Sequence, residues 1–337
     1  PAAGTGEGLN LLARSPRGAV FLDRDPGLPP APEPESTSVR VVESDPGRHH
    51  IRVITDTPAI VVLNRSSLPG WSVTVNDYPF DDFWPEFREM PGHWLDGKLF
   101  SVIVDFGYLG IVHNTDVISE KEASSYKILW DPKLTGKVGQ FDWYLPSMGC
   151  LSQYNGNKTP FDIDDGAFAK VRDTLFSLKP QVAGYHGIPD IFNSLKNGDA
   201  LAYQGIGDWI TILLSAEGFP VTTTIPDEGG IQWTESVSLS TDSKNPDLAK
   251  KFVQYLTSPE GQVRVALKSS YWGSIPNKKG WTLMNDTRPD EATILRHRFD
   301  QRNVMDEYAD GKISLRQLPV QQSIDDWSEA WNEYKNL

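Results

Sequence analysis

The side chains best suited to chemistry in this chain are carboxylates set beside aromatic rings. Asp105-Phe106, Asp142-Trp143-Tyr144, Asp208-Trp209 and Trp233-Thr-Glu235 are such neighbours, and Tyr271-Trp272 adds two adjacent rings. A carboxylate pairs with an ammonium group, and an aromatic face holds both cations and methylene groups. Sugar-binding clefts use the same residue types, and two carboxylates flanking a glycosidic bond make a glycosidase. The residues leave these alternatives open. An amine site needs carboxylates not already paired with Lys or Arg, whereas a sugar site mixes Asn, Gln and Arg among its acids; Gln204 and Gln232 lie near the candidates and prevent a clean decision.

Other chemistry is poorly served. The chain contains no G-x-S-x-G, H-E-x-x-H, P-loop or C-x-x-C pattern. Its single cysteine, Cys150, excludes an intramolecular disulfide and a multi-cysteine zinc site. Cys150 sits in the run Ser147-Met-Gly-Cys150-Leu and is expected to be buried rather than nucleophilic. His49-His50 lacks carboxylate or cysteine company at ligand spacing, so a strand-edge pair is expected rather than metal ligands. His113 and His186 stand alone and read as structural. Gly4-Thr-Gly6-Glu-Gly8 lacks the spacing of a phosphate loop and follows no strand. No metal or cofactor is expected from these residues, and none of these enzyme motifs is present.

The elements that must position these residues change character along the chain. Pro26, Pro29, Pro30, Pro32 and Pro34 mark residues 1–38 as a flexible, proline-rich segment. A period of two follows over 39–78. Val39–Glu43, His50–Thr55, Ala59–Leu63 and Trp71–Val75 read as strands, separated by Asp45-Pro-Gly47, Asp56-Thr-Pro58 and Leu68-Pro-Gly70. A small antiparallel β segment is expected there. Beyond residue 80 strands alternate with helices, so an α/β sheet covered by helices is expected. Leu99–Val104, Gly110–His113, Ala200–Tyr203 and Val221–Ile225 read as strands. Asp164, Pro189, Asp208, Asn245-Pro246 and Ser258-Pro259 open helices, the fourth with Leu248, Phe252, Tyr255 and Leu256 inward. Ile324, Trp327, Trp331 and Tyr334 form an apolar stripe on the last helix.

Composition bounds the answer further. The 337 residues suggest about two domains. Lys and Arg number 32 against 45 Asp and Glu, a net charge of −13 that argues against a general nucleic-acid binder. Hydrophobic residues make up 39% and charged residues 23%, enough for real cores. No apolar run is long enough to span a membrane.

Five phrases, in order, carry a family likeness: Gly110-Ile-Val-His-Asn114-Thr-Asp116, Leu129-Trp130-Asp-Pro132-Lys-Leu-Thr-Gly136, Pro226-Asp-Glu228-Gly229-Gly230-Ile-Gln-Trp233, the helix from Asn245-Pro246 to Pro259-Glu260, and Ile275-Pro276-Asn277. Over roughly 80–337 the chain resembles the extracellular solute-binding proteins of bacterial ABC transporters, in their spermidine/putrescine-binding branch. The resemblance implies a two-lobe, type II-like periplasmic-binding-protein fold, with lobe I near 79–112 and 235–337 and lobe II near 113–234. It implies capture of a polyamine-like cation by a monomer, a periplasmic or extracellular location, and a membrane ABC permease as partner. It also implies the site residues. Trp233 matches a stacking wall and Glu235 an ammonium partner, where the family more often has Asp. Asp142 and Trp143, Asp208 and Trp209, and Tyr271 and Trp272 fall near other ligand-facing positions, and Asp105 near the hinge side.

The segment that should begin lobe I is replaced by the β-rich stretch, so that lobe is expected to be incomplete. The stretch from Val39 to the Leu68-Pro-Gly-Trp71 phrase resembles the C-terminal extracytoplasmic β domain of YfhO-like, glycosyltransferase-related membrane proteins. A fusion with its junction near 76–82 is the simplest account of both resemblances. The alternatives to transport are a chimeric or truncated product with no transport role, and a carbohydrate-binding protein.

Overall fold

The structure, a computed structural model, describes residues 37–45, 48–55, 78–95, 97–240 and 243–337. The glycine run at 4–8, the proline-rich segment, the strands expected over 59–63 and 71–75, and the Leu68-Pro-Gly-Trp71 phrase lie outside the described residues. Before them, β1 (Thr37–Asp45) and β2 (Arg48–Thr55) pair antiparallel as the alternating pattern predicts. Val39 stands opposite Val53 and Val41 opposite Ile51, and the register shifts between Val41 and Glu43.

By compactness the chain falls into two units. The smaller takes in Pro85–Ile103, Glu235–Gln254 and the described residues before 79. Within it β3 (Trp94–Leu95) and β4 (Lys98–Leu99) form a short antiparallel pair, and the buried His93 ring meets Ser236 Oγ at 2.9 Å. The larger comprises Pro79–Trp84, Val104–Thr234 and Tyr255–Leu337.

The larger unit is built on a mixed sheet whose order is β11-β10-β5-β8-β6-β7, with β9 also on β5. In chain order the elements from here on are β5 (Val102–Asn114), β6 (Val138–Phe141), α1 (Tyr144–Tyr154), α2 (Asp165–Ser177), β7 (Val182–His186), α3 (Ile188–Asn197), β8 (Ala202–Gly207), α4 (Asp208–Ala216), β9 (Val221–Thr224) and β10 (Gly230–Val237). Then come α5 (Pro246–Thr257), α6 (Pro259–Ala266), α7 (Lys278–Thr287), α8 (Pro289–Ile294), α9 (Val304–Ala309), β11 (Ile313–Leu315) and α10 (Ile324–Asn336). β6 runs parallel to β7 and β8, β10 parallel to β11, and β5 antiparallel to β8 and β9.

Local chemistry explains the ends. The Asp164 carboxylate accepts from Ala167 N at 2.8 Å and starts α2, and Ser258 Oγ accepts from Gly261 N at 3.2 Å and starts α6. Pro189 occupies the first turn of α3, and Gly198 ends it at φ +72°. Ser323 and Asp326 form a reciprocal capping box at the start of α10.

Three sequence expectations differ from the structure. The strands expected at 99–104 and 110–113 run together from Val102 as one strand, β5, whose residues Val102 to His113 are all buried, while Leu99 belongs to β4. Asp105 and Gly107, which read as a break, lie inside it. In the α10 stripe Trp327, Trp331 and Tyr334 are buried, but Ile324 is 45% exposed because it is the first residue after the cap. On α5 it is Val253 and Thr257 that are buried, one turn apart, while Leu248 is exposed. The main core gathers β5, β6, α1, α2 and α10, with the Trp327 ring 5.6 Å from Phe168 and 5.9 Å from Phe161.

Candidate ligand-binding site

The parallel strands β6, β7 and β8 each feed a helix. α1, α3 and α4 begin at Trp143, Gly187 and Gly207, none of which caps the helix with its side chain. Asp142-Trp143 and Asp208-Trp209 therefore stand at one edge of the sheet, at the carboxyl ends of its parallel strands. That edge is where open α/β sheets hold ligands.

Asp208 is the centre of the best-formed cluster. Its Oδ1 accepts from Trp233 Nε1 at 2.9 Å, Trp209 N at 3.0 Å and Tyr108 N at 3.3 Å. The residue is 3% exposed. Burial pushes its carboxyl up to about 7, against the pull of those three N–H groups and of the more distant Arg296. Asp208 thus orients the rings around it. Tyr271 completes the group, with ring centroids 5.1 Å from Trp209 and 6.2 Å from Trp233. Three rings and a carboxylate from β10, α4 and the loop after α6 converge here.

Gly107 makes this convergence possible. A Cβ on it would run into Asp208 Oδ1 and the Trp233 indole. A glycine inside a buried strand marks such a close approach, a signal that sequence reasoning did not use. Gly107→Ala is expected to destabilise the protein by about 1–3 kcal/mol through overpacking. Urea unfolding followed by tryptophan fluorescence measures this; an unchanged midpoint would mean that the rings are not packed as described.

The remaining candidates are placed differently. Asp105, on β5, is fully buried and forms an ion pair with Lys268, whose ammonium lies 3.9 Å from the Tyr271 ring centroid. Asp142 accepts from Lys335 Nζ at 2.8 Å and Trp331 Nε1 at 3.1 Å, both on α10. Partial burial pushes its carboxyl up, but those hydrogen bonds outweigh it and leave its pKa lowered. Trp143 lies under the Arg316 guanidinium, 4.8 Å from the ring centroid. Trp272 is half-buried. Glu235 is half-buried and falls in the smaller unit. Gln232 accepts from Tyr308 Oη at 2.6 Å, and Gln204 donates to Gln140 at 2.7 Å.

Sequence reasoning missed Lys268, Lys335 and Arg296. Arg296, at φ +56°, donates to Tyr108 Oη at 2.6 Å and to Glu307 Oε1 at 2.9 Å. It braces the strand whose Tyr108 amide binds Asp208. His113, His186 and Cys150 are held within the fold. His113 meets Thr224 Oγ1 at 3.0 Å, His186 Nδ1 meets Tyr203 Oη at 2.5 Å, and burial pushes the Cys150 thiol up to about 12. Among the described residues no group of three or more His, Cys, Asp or Glu is placed to hold a metal ion. No helix among them is long and apolar enough to cross a membrane.

The family model described as bacterial extracellular solute-binding protein matches residues 54–287, more than half of the chain. The chain belongs to this family. The match begins upstream of 76–82, where the sequence suggested a junction. The chain is 24% identical over 202 residues to the spermidine/putrescine-binding periplasmic protein of Escherichia coli K12, covering 58% of this chain and 55% of that one. It is 21% identical over 192 residues to spermidine/putrescine-binding periplasmic protein 1 of Haemophilus influenzae, covering 56% and 52%. The chain thus spans about half the length of the curated relatives it matches. Among solved structures it resembles a spermidine/putrescine ABC transporter substrate-binding protein of Streptococcus pneumoniae, with TM-score 0.66, 17% identity, and 79% and 78% of the two chains covered. A putative spermidine/putrescine ABC transporter from Listeria monocytogenes gives TM-score 0.61 at 20% identity, with the same coverage. The solute-binding family member described here therefore has the periplasmic-binding-protein fold, and its family is one of binding proteins rather than enzymes.

Proposed function

We propose that this chain captures a small cationic solute of the polyamine kind for an ABC importer, outside the cytoplasm, as a monomer that hands its ligand to a membrane permease. The observation that carries this reading is the group of Trp209, Tyr271 and Trp233 around the buried Asp208 at the carboxyl edge of the sheet. Such a group can hold methylenes and ammoniums together. The names of the relatives in Escherichia coli and Haemophilus influenzae, both spermidine/putrescine-binding, support the same solute class. In this reading 79–112 with 235–337 and 113–234 are the two lobes, and Trp233, Glu235, Trp209 and Tyr271 face the ligand. The family match over 54–287 supports a binding role over a product with no transport role.

A second reading, a carbohydrate ligand, is favoured by one feature. Asp105 and Asp142 are each already paired with a lysine. Thermal unfolding with putrescine, spermidine, a neutral sugar and an amino acid separates the readings. A ligand at a hundred times its Kd adds about 2.7 kcal/mol, a rise on the order of 5 °C. A rise with polyamines alone is expected; a rise with the sugar alone would replace the proposal by the second reading.

A further inference from the structure

The Asp105 carboxylate is fully buried within β5, and its charge is met by the Lys268 ammonium. The Lys268 side chain comes from the loop after α6, is 20% exposed, and places its nitrogen 3.9 Å from the Tyr271 ring centroid. A buried carboxylate on one side and an aromatic face on the other are the two groups that hold a primary ammonium at the end of an alkyl chain. Gly273 leaves the room: a Cβ there would run into both carboxylate oxygens of Asp105. Tyr271 is shared, since its ring also packs against Trp209 and Trp233.

We propose that Asp105 and Tyr271 form a binding subsite for a primary alkylammonium, occupied in this state by the chain's own Lys268, and that a ligand ammonium enters by displacing it. Exchange of one ammonium for another keeps the buried carboxylate compensated and returns the Lys268 head to water, where a flexible, strongly hydrated ammonium is well accommodated. Lys268 is then a tethered competitor that sets how tightly a second amine of the ligand is held. The carboxylate–lysine pairing that favours a sugar becomes, on this view, the resting form of an amine site. The inference rests on the proposed cationic ligand, but its test is separable.

Lys268→Ala removes three carbons and the nitrogen of the side chain, the equivalent of n-propylammonium, which is therefore the probe. Lys268→Ala is expected to melt below the unsubstituted protein and to regain on the order of 5 °C, saturably, at propylammonium a hundred times its Kd. Sodium chloride at equal ionic strength and n-propanol are expected to do nothing, and Asp105→Asn in the Lys268→Ala background to abolish the response. Absence of a propylammonium-specific rise, or its persistence with Asp105→Asn, overturns the proposal. Should Lys268→Ala fail to fold even with the probe, the unsubstituted protein decides. The Lys268 ε-methylene NMR signal, shifted upfield by the Tyr271 ring, is expected to move to the free-lysine position as spermidine saturates the protein, and its staying in place overturns the proposal. Spermidine binding itself is read by calorimetry. Rescue by propylammonium without spermidine binding would uphold the subsite and sink the polyamine reading; spermidine binding with Lys268 unmoved would do the reverse.

Discussion

Replacing Asp208 by alanine is expected to lower the thermal midpoint by on the order of 10 °C, while asparagine at the same position costs far less. The carboxylate oxygen Oδ1 alone receives Trp233 Nε1, Trp209 N and Tyr108 N. Alanine leaves three donors in a buried place without that acceptor. At about 1–3 kcal/mol for each buried group left unsatisfied, a loss of roughly 3–6 kcal/mol follows, allowing for some relaxation. Asparagine keeps an oxygen in the same position. The variant is also expected to lose the fixed orientation of Trp233, so near-ultraviolet circular dichroism should weaken for alanine and persist for asparagine. Equal losses for the two variants would show that charge rather than the acceptor holds the cluster together.

The second large effect is on pH. Asp208 titrates at about 7 in the folded protein against an ordinary 3.8, because burial disfavours its charge. Below about pH 4 both the folded and the unfolded chain carry this proton, and the contribution to stability is fully present. As pH rises from about 4 to about 7 the unfolded chain releases the proton and the folded chain keeps it. Stability then falls by about 1.4 kcal/mol per pH unit, roughly 4 kcal/mol in all, and is level above that range. Carboxylates whose pKa is lowered act in the opposite sense; Glu122, hydrogen-bonded by Lys133 and Ser119, is at about 2. The comparison with Asp208→Asn cancels them, since the variant keeps them all. The expected result is a stability difference, protein minus variant, that declines between pH 4 and 7 in urea titrations. A flat difference would mean that Asp208 is already ionised at pH 4.

Much of the fold was written in local chemistry. Asp164, Ser258, Pro189 and Gly198 announced helix ends, because a cap needs only a neighbour three residues away or a single left-handed residue. Trp233 and Asp208 were both offered as ligand-facing, the first through a family phrase and the second as an acid beside a ring, and the structure joins them by a hydrogen bond. What stayed hidden depends on distance along the chain. Lys268 and Asp105 are 163 residues apart, and Lys335 and Asp142 are 193 apart, and no periodicity links them. Two of the acids that sequence reasoning offered to a ligand, Asp105 and Asp142, were thus already matched to lysines. The single strand β5 was misread for a related reason. Asp105 and Gly107 break an apolar run locally, yet each answers to a partner brought in from another element.

The position of α10 bears on how this molecule comes to be. Its Trp327, Trp331 and Tyr334 seal a core drawn mainly from residues 109 to 178, joined by Ala202, Ile231 and Trp233, and its Lys335 and Trp331 hold Asp142 at the end of β6. On a ribosome those sealing rings emerge after the core they cover, so the core cannot close until the chain has been made as far as Tyr334. Until then the faces of β6, α1 and α2 stay uncovered, and long-range closure of this kind is slow. A molecule whose lock lies in α10 stays loose until that helix has emerged.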